Sequence, residues 1–205
     1  MLTYEEQLEA DVERAFREGS MHFEERSSVH RTLRKICADL TQLEIPYSIV
    51  GGIALFFHGY RRFTEDVDLL VTAEGLEQLH LNLDGRGYLP PFAGSQSMRD
   101  TETGVRIEFL TTGGFPGDGK PKAVAFPDPV AVSVEINGLQ FLQLDKLIEL
   151  KLASGLSNPR RARDLVDVQE LIAVLSLSAE VADRLDESVR EKYRELWQIV
   201  QDFPE

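Results

Sequence analysis

What the chain lacks narrows its function first. It has a single cysteine, Cys37, among 205 residues, so no intrachain disulfide can form and nothing argues for an oxidising compartment. No stretch approaches the roughly 18 apolar residues that a membrane-spanning helix needs. The opening residues, MLTYEEQLEADVERAF, are acidic and hold no apolar run. A signal peptide is therefore not expected, and the cytoplasm is the default location. Cations are scarce: 22 Lys and Arg stand against 35 Asp and Glu, a formal net charge of -13. Such a surface repels phosphate backbones and excludes a broad nucleic-acid surface. It still admits a small anion met by metal ions or a local basic cluster. The histidines, His22, His30, His58 and His80, are scattered without zinc-ligand spacing. They form no Ser/His/Asp or Cys/His order either.

What is present is ordinary for a globular protein, with 42% hydrophobic and 28% charged residues. The length predicts one domain, or one domain with a helical annex. Helices are expected over 3–18 and 28–44, the second with Leu33, Ile36, Cys37, Leu40 and Leu43 on one stripe. Pro46 ends it. Tyr47 to Val50 reads as a strand, Ile53 to His58 as a buried helix and Val67 to Val71 as a second strand. Thr72 is placed to cap a helix bearing Leu76, Leu79 and Leu83. Further strands are expected at 88–89, 96–99 and 105–110. Residues 113–129 form a Gly- and Pro-rich loop expected to lie over something. Asn137-Gly138 marks a hairpin between 130–136 and 139–142. Helices then follow over 145–154, from Asn158-Pro159 to 175, and over 179–200. The fold class is thus α+β: a mixed sheet over 46–142, N-terminal helices over 1–45 and a helical part over 143–205, packed as one unit.

Chemistry concentrates around Asp66-Val67-Asp68. Alternate side chains on a strand share a face, so the two carboxylates point one way, about 6.5–7 Å apart at their Cα atoms. Like charges so placed repel unless a cation lies between them. Mg²⁺ or Mn²⁺ suits oxygen ligands shared with substrate phosphates. A bare D-x-D can also simply end a strand. Upstream, however, the strand runs into Gly51-Gly52 and a helix. A glycine turn at a helix N-terminus presents N–H groups and positive dipole to an anion. An anion-receiving turn beside a carboxylate pair is what phosphoryl or nucleotidyl transfer needs.

The segment VGGIALFFHGYRRFTEDVDLLV resembles the signature of the nucleotidyltransferase superfamily that includes DNA polymerase beta. The R-x-T-x-D-V-D form, with Arg62, Thr64, Asp66 and Asp68, is most similar to the small prokaryotic branch that includes AbiEii-like toxins. That resemblance implies a nucleotidyltransferase-like sheet core and transfer of a nucleoside monophosphate from a nucleoside triphosphate. The implied acceptor is RNA such as tRNA, a protein or a small molecule, and an antitoxin is an implied partner. The superfamily has a third carboxylate on a neighbouring strand. Glu108 matches it, as a third metal ligand beside Asp66 and Asp68, sharing a face with Arg106, and Asp100 is the alternative. Gly51, Gly52, Arg62 and Thr64 would meet the nucleotide. Lys151-Leu152-Ala153 and then Arg160, Arg161, Arg163, Asp164 and Asp167 resemble the K-x-A and R-x-x-D-x-x-D features expected near nucleotide or acceptor, with Lys151 and Arg163 as nucleotide-binding candidates and Asp164 beside them. A local reading also exists: Arg160 with Asp164 and Arg163 with Asp167 are i,i+4 pairs on one helix. A second alternative is a catalytically silent nucleotide- or partner-binding module of the same fold.

Gly114 to Pro121 imitates a P-loop, but Pro121 stands where a Ser or Thr hydroxyl should meet Mg²⁺. Lys120 or Lys122 could instead touch phosphate from a loop over the acceptor site. His58 ends the helix after the glycine turn, either near the site or merely capping.

Overall fold

The computed structural model describes residues 2–203. Helices α1 (Tyr4–Ala10), α2 (Val12–Phe23) and α3 (Ser28–Gln42) precede strand β1 (Tyr47–Val50), helix α4 (Gly51–His58) and strand β2 (Asp66–Val71). Helix α5 (Ala73–Leu83) leads to β3 (Tyr88–Leu89), β4 (Ser97–Asp100) and β5 (Arg106–Thr111). After the long loop come a short helix α6 (Pro129–Val132), β6 (Ser133–Ile136) and β7 (Leu139–Leu142). Helices α7 (Leu144–Ser157), α8 (Ala162–Val174) and α9 (Glu187–Asp202) finish the chain.

The strands make one seven-stranded sheet in the order β3-β4-β5-β2-β1-β7-β6. Strand β2 lies at its centre, antiparallel to β1 and parallel to β5. The sheet is mixed, as the α+β expectation requires, with β1 also parallel to β7. Val67, Leu69 and Val71 on one face of β2 are fully buried, while Asp66 and Asp68 on the other stay partly open. This is the alternation that turns one face of a strand to the core. Buried side chains from Tyr4 and Leu8 through the sheet to Tyr193 and Leu196 form one continuous cluster. Among the described residues no helix is long and apolar enough to cross a membrane.

Several boundaries differ from expectation for local reasons. The helix expected over 3–18 is two helices, because Asp11 leaves helical conformation and its carboxylate accepts from Arg14 N–H, capping α2. The glycine turn lies inside α4, with Gly51 at φ +64° as its first residue. The strand expected from Val130 begins at Ser133, since Asp128 caps Pro129 and opens α6 instead. The single helix expected over 179–200 is a 3-10 turn at Ala179–Arg184 followed by α9, which Asp186 caps. Asn158 does cap Pro159, but a 3-10 turn over Pro159–Arg161 precedes α8.

Candidate active site

A cleft of about 1030 Å³ opens between the carboxyl-rich face of the sheet, the 113–126 loop and helices α7 and α8. Gly51, Gly52, Arg62, Thr64, Asp66, Asp68, Glu108, Lys151, Arg163 and Asp164 all line it. Three other candidates do not. Asp100 is buried elsewhere, paired with Lys35 at 2.8 Å and accepting from Thr32 at 3.1 Å. The His58 ring packs away from the cleft, with Nε2 donating to the Leu142 carbonyl at 2.7 Å. Lys120 is exposed beside the cleft, whose wall there is Asp118 and Gly119.

The sheet side is built by steric fit. A Cβ on Gly51 would sit 1.8 Å from Asp68 Oδ2, and one on Gly52 would sit 2.7 Å from Thr64 Oγ1. Only glycine lets the turn close over both side chains. Val50 caps α4 without a side-chain hydrogen bond, and Gly51 and Gly52 at the start of that helix line the cleft. Thr64 Oγ1 donates to Asp66 Oδ1 at 2.7 Å. That hydroxyl proton orients the Asp66 carboxylate. In the parallel pairing of β2 with β5, Asp68 stands opposite Glu108 and Asp66 opposite Arg106. The carboxylates therefore share one face, and Arg106 bonds Glu108. Burial, then the charges of Asp66 and Glu108, push the Asp68 carboxyl up to about 7.

That crowding is the test of whether a divalent cation fits. Two carboxylates on one face, one of them reluctant to ionise without a counter-ion, suit Mg²⁺ or Mn²⁺. Among the described residues no three metal-ligating side chains form a ready-made cage. Asp66 and Asp68 therefore offer two carboxylates on one face of β2 rather than a closed cage.

The helical side follows different rules. Lys151 Nζ donates to Asp164 Oδ1 at 2.9 Å and to Asp167 Oδ2 at 2.7 Å. Arg62 grips both oxygens of Asp167, at 3.0 and 3.2 Å. Ser154 Oγ and Arg161 Nε complete Asp164, at 2.6 and 2.8 Å. Burial opposes ionisation of Asp164, yet Lys151 and Ser154 together hold its carboxyl below the usual aspartate range. The α7–α8 approach that permits this depends on Gly155, where a Cβ would lie 2.6 Å from Leu165 Cγ.

The local i,i+4 reading of Arg160–Asp164 and Arg163–Asp167 is therefore corrected: both aspartates turn inward to Lys151, Arg161 and Arg62. Arg160 and Arg163 line the cleft and make no ion pair among the described residues. Lys151 and Arg62 are cleft residues whose charges are already matched. Sequence reasoning missed Ser154, Glu65 and Phe115 as cleft residues. Ser154 was findable, one turn after Lys151 on the same helix face. Phe115 carried no signal beyond its place in the Gly- and Pro-rich loop.

No protein-family model matches the chain. No curated protein matches it in sequence. Solved structures match it in shape. The crystal structure of ANT(2'')-Ia in complex with adenylyl-2''-tobramycin has a TM-score of 0.53 at 16% identity, covering 80% of this chain and 96% of that one. The solution structure of the same antibiotic-resistance factor gives 0.53 at 16% identity, covering 83% and 96%. An antigenic nucleotidyltransferase-like protein from Paracoccidioides brasiliensis gives 0.47 at 18% identity, covering 82% and 85%. At such identity the match to ANT(2'')-Ia speaks for the fold, which is nucleotidyltransferase-like.

Proposed function

We propose that the protein is a metal-dependent nucleotidyltransferase that moves a nucleoside monophosphate from a nucleoside triphosphate to an acceptor. The observation carrying this reading is the packing of Gly51 directly on Asp68, which joins an uncapped helix N-terminus to a carboxylate pair. Asp66 and Asp68 would hold Mg²⁺ or Mn²⁺. The ion would neutralise phosphate charge and acidify the attacking oxygen. The N–H groups at Gly51 and Gly52 would receive phosphate oxygens. Arg160 and Arg163, free of carboxylate partners among the described residues, would meet the same anion.

The acceptor hydroxyl oxygen attacks the α-phosphorus, the bond from that phosphorus to the β-bridging oxygen breaks, and pyrophosphate leaves. Glu108 takes the hydroxyl proton once the Arg106 pair opens. Positioning and charge neutralisation then supply most of the rate.

The acceptor classes are RNA, protein and small molecule, and the AbiEii-like sequence signature makes a toxin role with an antitoxin partner, in the cytoplasm, part of the reading. A small-molecule acceptor has its own support, since ANT(2'')-Ia is seen with adenylyl-2''-tobramycin. One observation favours the alternative of a catalytically silent nucleotide-binding module: Glu108 is tied to Arg106 on its own strand. Both readings treat residues 1–45, 46–142 and 143–205 as one working unit.

The test is incubation of the pure protein with each α-labelled triphosphate, Mg²⁺ or Mn²⁺, and tRNA, protein or aminoglycoside acceptors. Label transfer that disappears in Asp66→Ala is expected. Transfer that survives the substitution, or triphosphate binding with no transfer to any acceptor, would overturn the enzymatic reading.

A further inference from the structure

Asp167 is 1% exposed and carries more ionic contacts than its place on α8 requires. Its two oxygens hold the Arg62 guanidinium in a two-point grip, and one of them also accepts from Lys151. A forked pair fixes orientation as well as charge. Arg62 is itself anchored along its length. Its Nη1 donates to the Phe63 carbonyl at 3.2 Å, and its own carbonyl hydrogen-bonds His22 Nε2 at 3.1 Å. Two residues further on, Thr64 is wedged over Gly52 and bonds Asp66. The chain from α8 to the carboxylate pair is therefore short and continuous: Asp167, Arg62, the 62–64 backbone, the Thr64 hydroxyl, Asp66.

We propose that Asp167 is a positioning residue: it touches no ligand, and through Arg62 it sets the Thr64–Asp66 arm in the orientation that receives the metal. The inference rests on the reading of Asp66 and Asp68 as metal ligands. It adds a role for a buried aspartate that otherwise looks like bulk charge balance for Lys151. The same geometry makes the helical part a condition for the sheet's metal site, because the grip spans 105 positions of sequence.

The test uses the full chain, with Mn²⁺ alone as probe and its free-ion electron paramagnetic resonance signal as readout. The variants are Arg62→Lys, Asp167→Asn and the pair. Arg62→Lys keeps the charge and loses the fork, so it serves if Asp167→Asn fails to fold. Each single change should weaken Mn²⁺ binding by about tenfold, as the loss of an outer-shell support does. The double variant should be no worse than the weaker single one, because both break one linkage. Hydrogen exchange of residues 62–66 in the metal-free protein should quicken in every variant. Wild-type Mn²⁺ affinity retained in Arg62→Lys, additive losses in the double variant, or unchanged exchange would overturn the role of Asp167. Wild-type protein that binds no Mn²⁺ while exchange still quickens would instead sink the metal reading and leave the clamp standing.

Discussion

The two walls of the cleft handle charge in opposite ways. On the helical wall every buried charge is answered: Lys151 by Asp164 and Asp167, Asp167 by Arg62, Asp164 also by Arg161 and Ser154. On the sheet wall Asp66 has one hydroxyl, Asp68 has the negative charge of Asp66 and Glu108 only partly offset by the more weakly acting Lys151 and Arg161, and Glu108 has a single guanidinium. Matched charges define a shape, since ions that satisfy one another have nothing left for a ligand. Crowded like charges store a cost that a cation can relieve. The same types of residue are thus paired as a frame on one side and, in the proposed reading, would serve as receptor on the other.

Substitutions can break that contrast. The largest effect is expected for Lys151→Met, which leaves Asp164 and Asp167 buried with one cation fewer. Urea unfolding at pH 7 should show a loss of about 3–5 kcal/mol. An unchanged midpoint would mean that the helical wall is no frame. Gly51→Ala comes next. A methyl there meets Asp68 Oδ2 and must sit at φ +64°. A loss of about 2–4 kcal/mol in the same assay is expected from overpacking and backbone strain together.

Asp68→Asn should act with the opposite sign. The folded-state value of Asp68 lies near 7, above an ordinary aspartate value of 3.8, so the folded protein binds this proton more tightly. Its contribution to stability is full below the unfolded value and is lost as pH rises through about 7. The metal-free variant should therefore be more stable than wild type at pH 8, by about 1–3 kcal/mol. The gap should close below pH 4 and on adding Mg²⁺. A variant less stable at pH 8 would remove the claim that the sheet wall is held at a cost. The smallest effect belongs to Arg163→Ala, exposed and without an ion pair among the described residues. Stability should move by less than about 0.5 kcal/mol. Triphosphate affinity by calorimetry should still fall several-fold, and a large loss of stability would place Arg163 in the frame.

The receptor wall was the more legible one. Gly51, Gly52, Asp66, Asp68 and Glu108 lie where strand alternation and a glycine turn set them, and these are local rules acting over a few residues. The frame was legible in its residues, Lys151 and Asp164 among them, but not in its pairing. Nothing local marks Asp167 as the partner of Arg62, and the helical spacing that offered Arg163 to Asp167 described a pair of about 0.2–0.5 kcal/mol that the fold outbids. Asp100 was a fair alternative by residue type, but Lys35 on a distant helix claims it. The strand and helix order was readable apart from α6, which stands where a strand was expected. Breaks such as Asp11 and Asp186 were not, because a capping carboxylate and an ordinary helical one look alike until the chain turns.

Helix α7 has one more consequence. On successive turns of one face it carries Lys151, Ser154, Ser157 and, just beyond its end, Asn158. Ser157 Oγ and Asn158 Nδ2 fasten the 116–117 backbone, and Lys122 Nζ reaches Ser157 Oγ at 3.1 Å. The helix is thus a ruler that sets the ion network and the loop wall at fixed intervals. Inserting one residue between Lys151 and Ser157 would rotate everything after it by about 100°. The loop would come unfastened while the carboxylates of β2 kept their places, so the length of this helix carries as much information as its side chains.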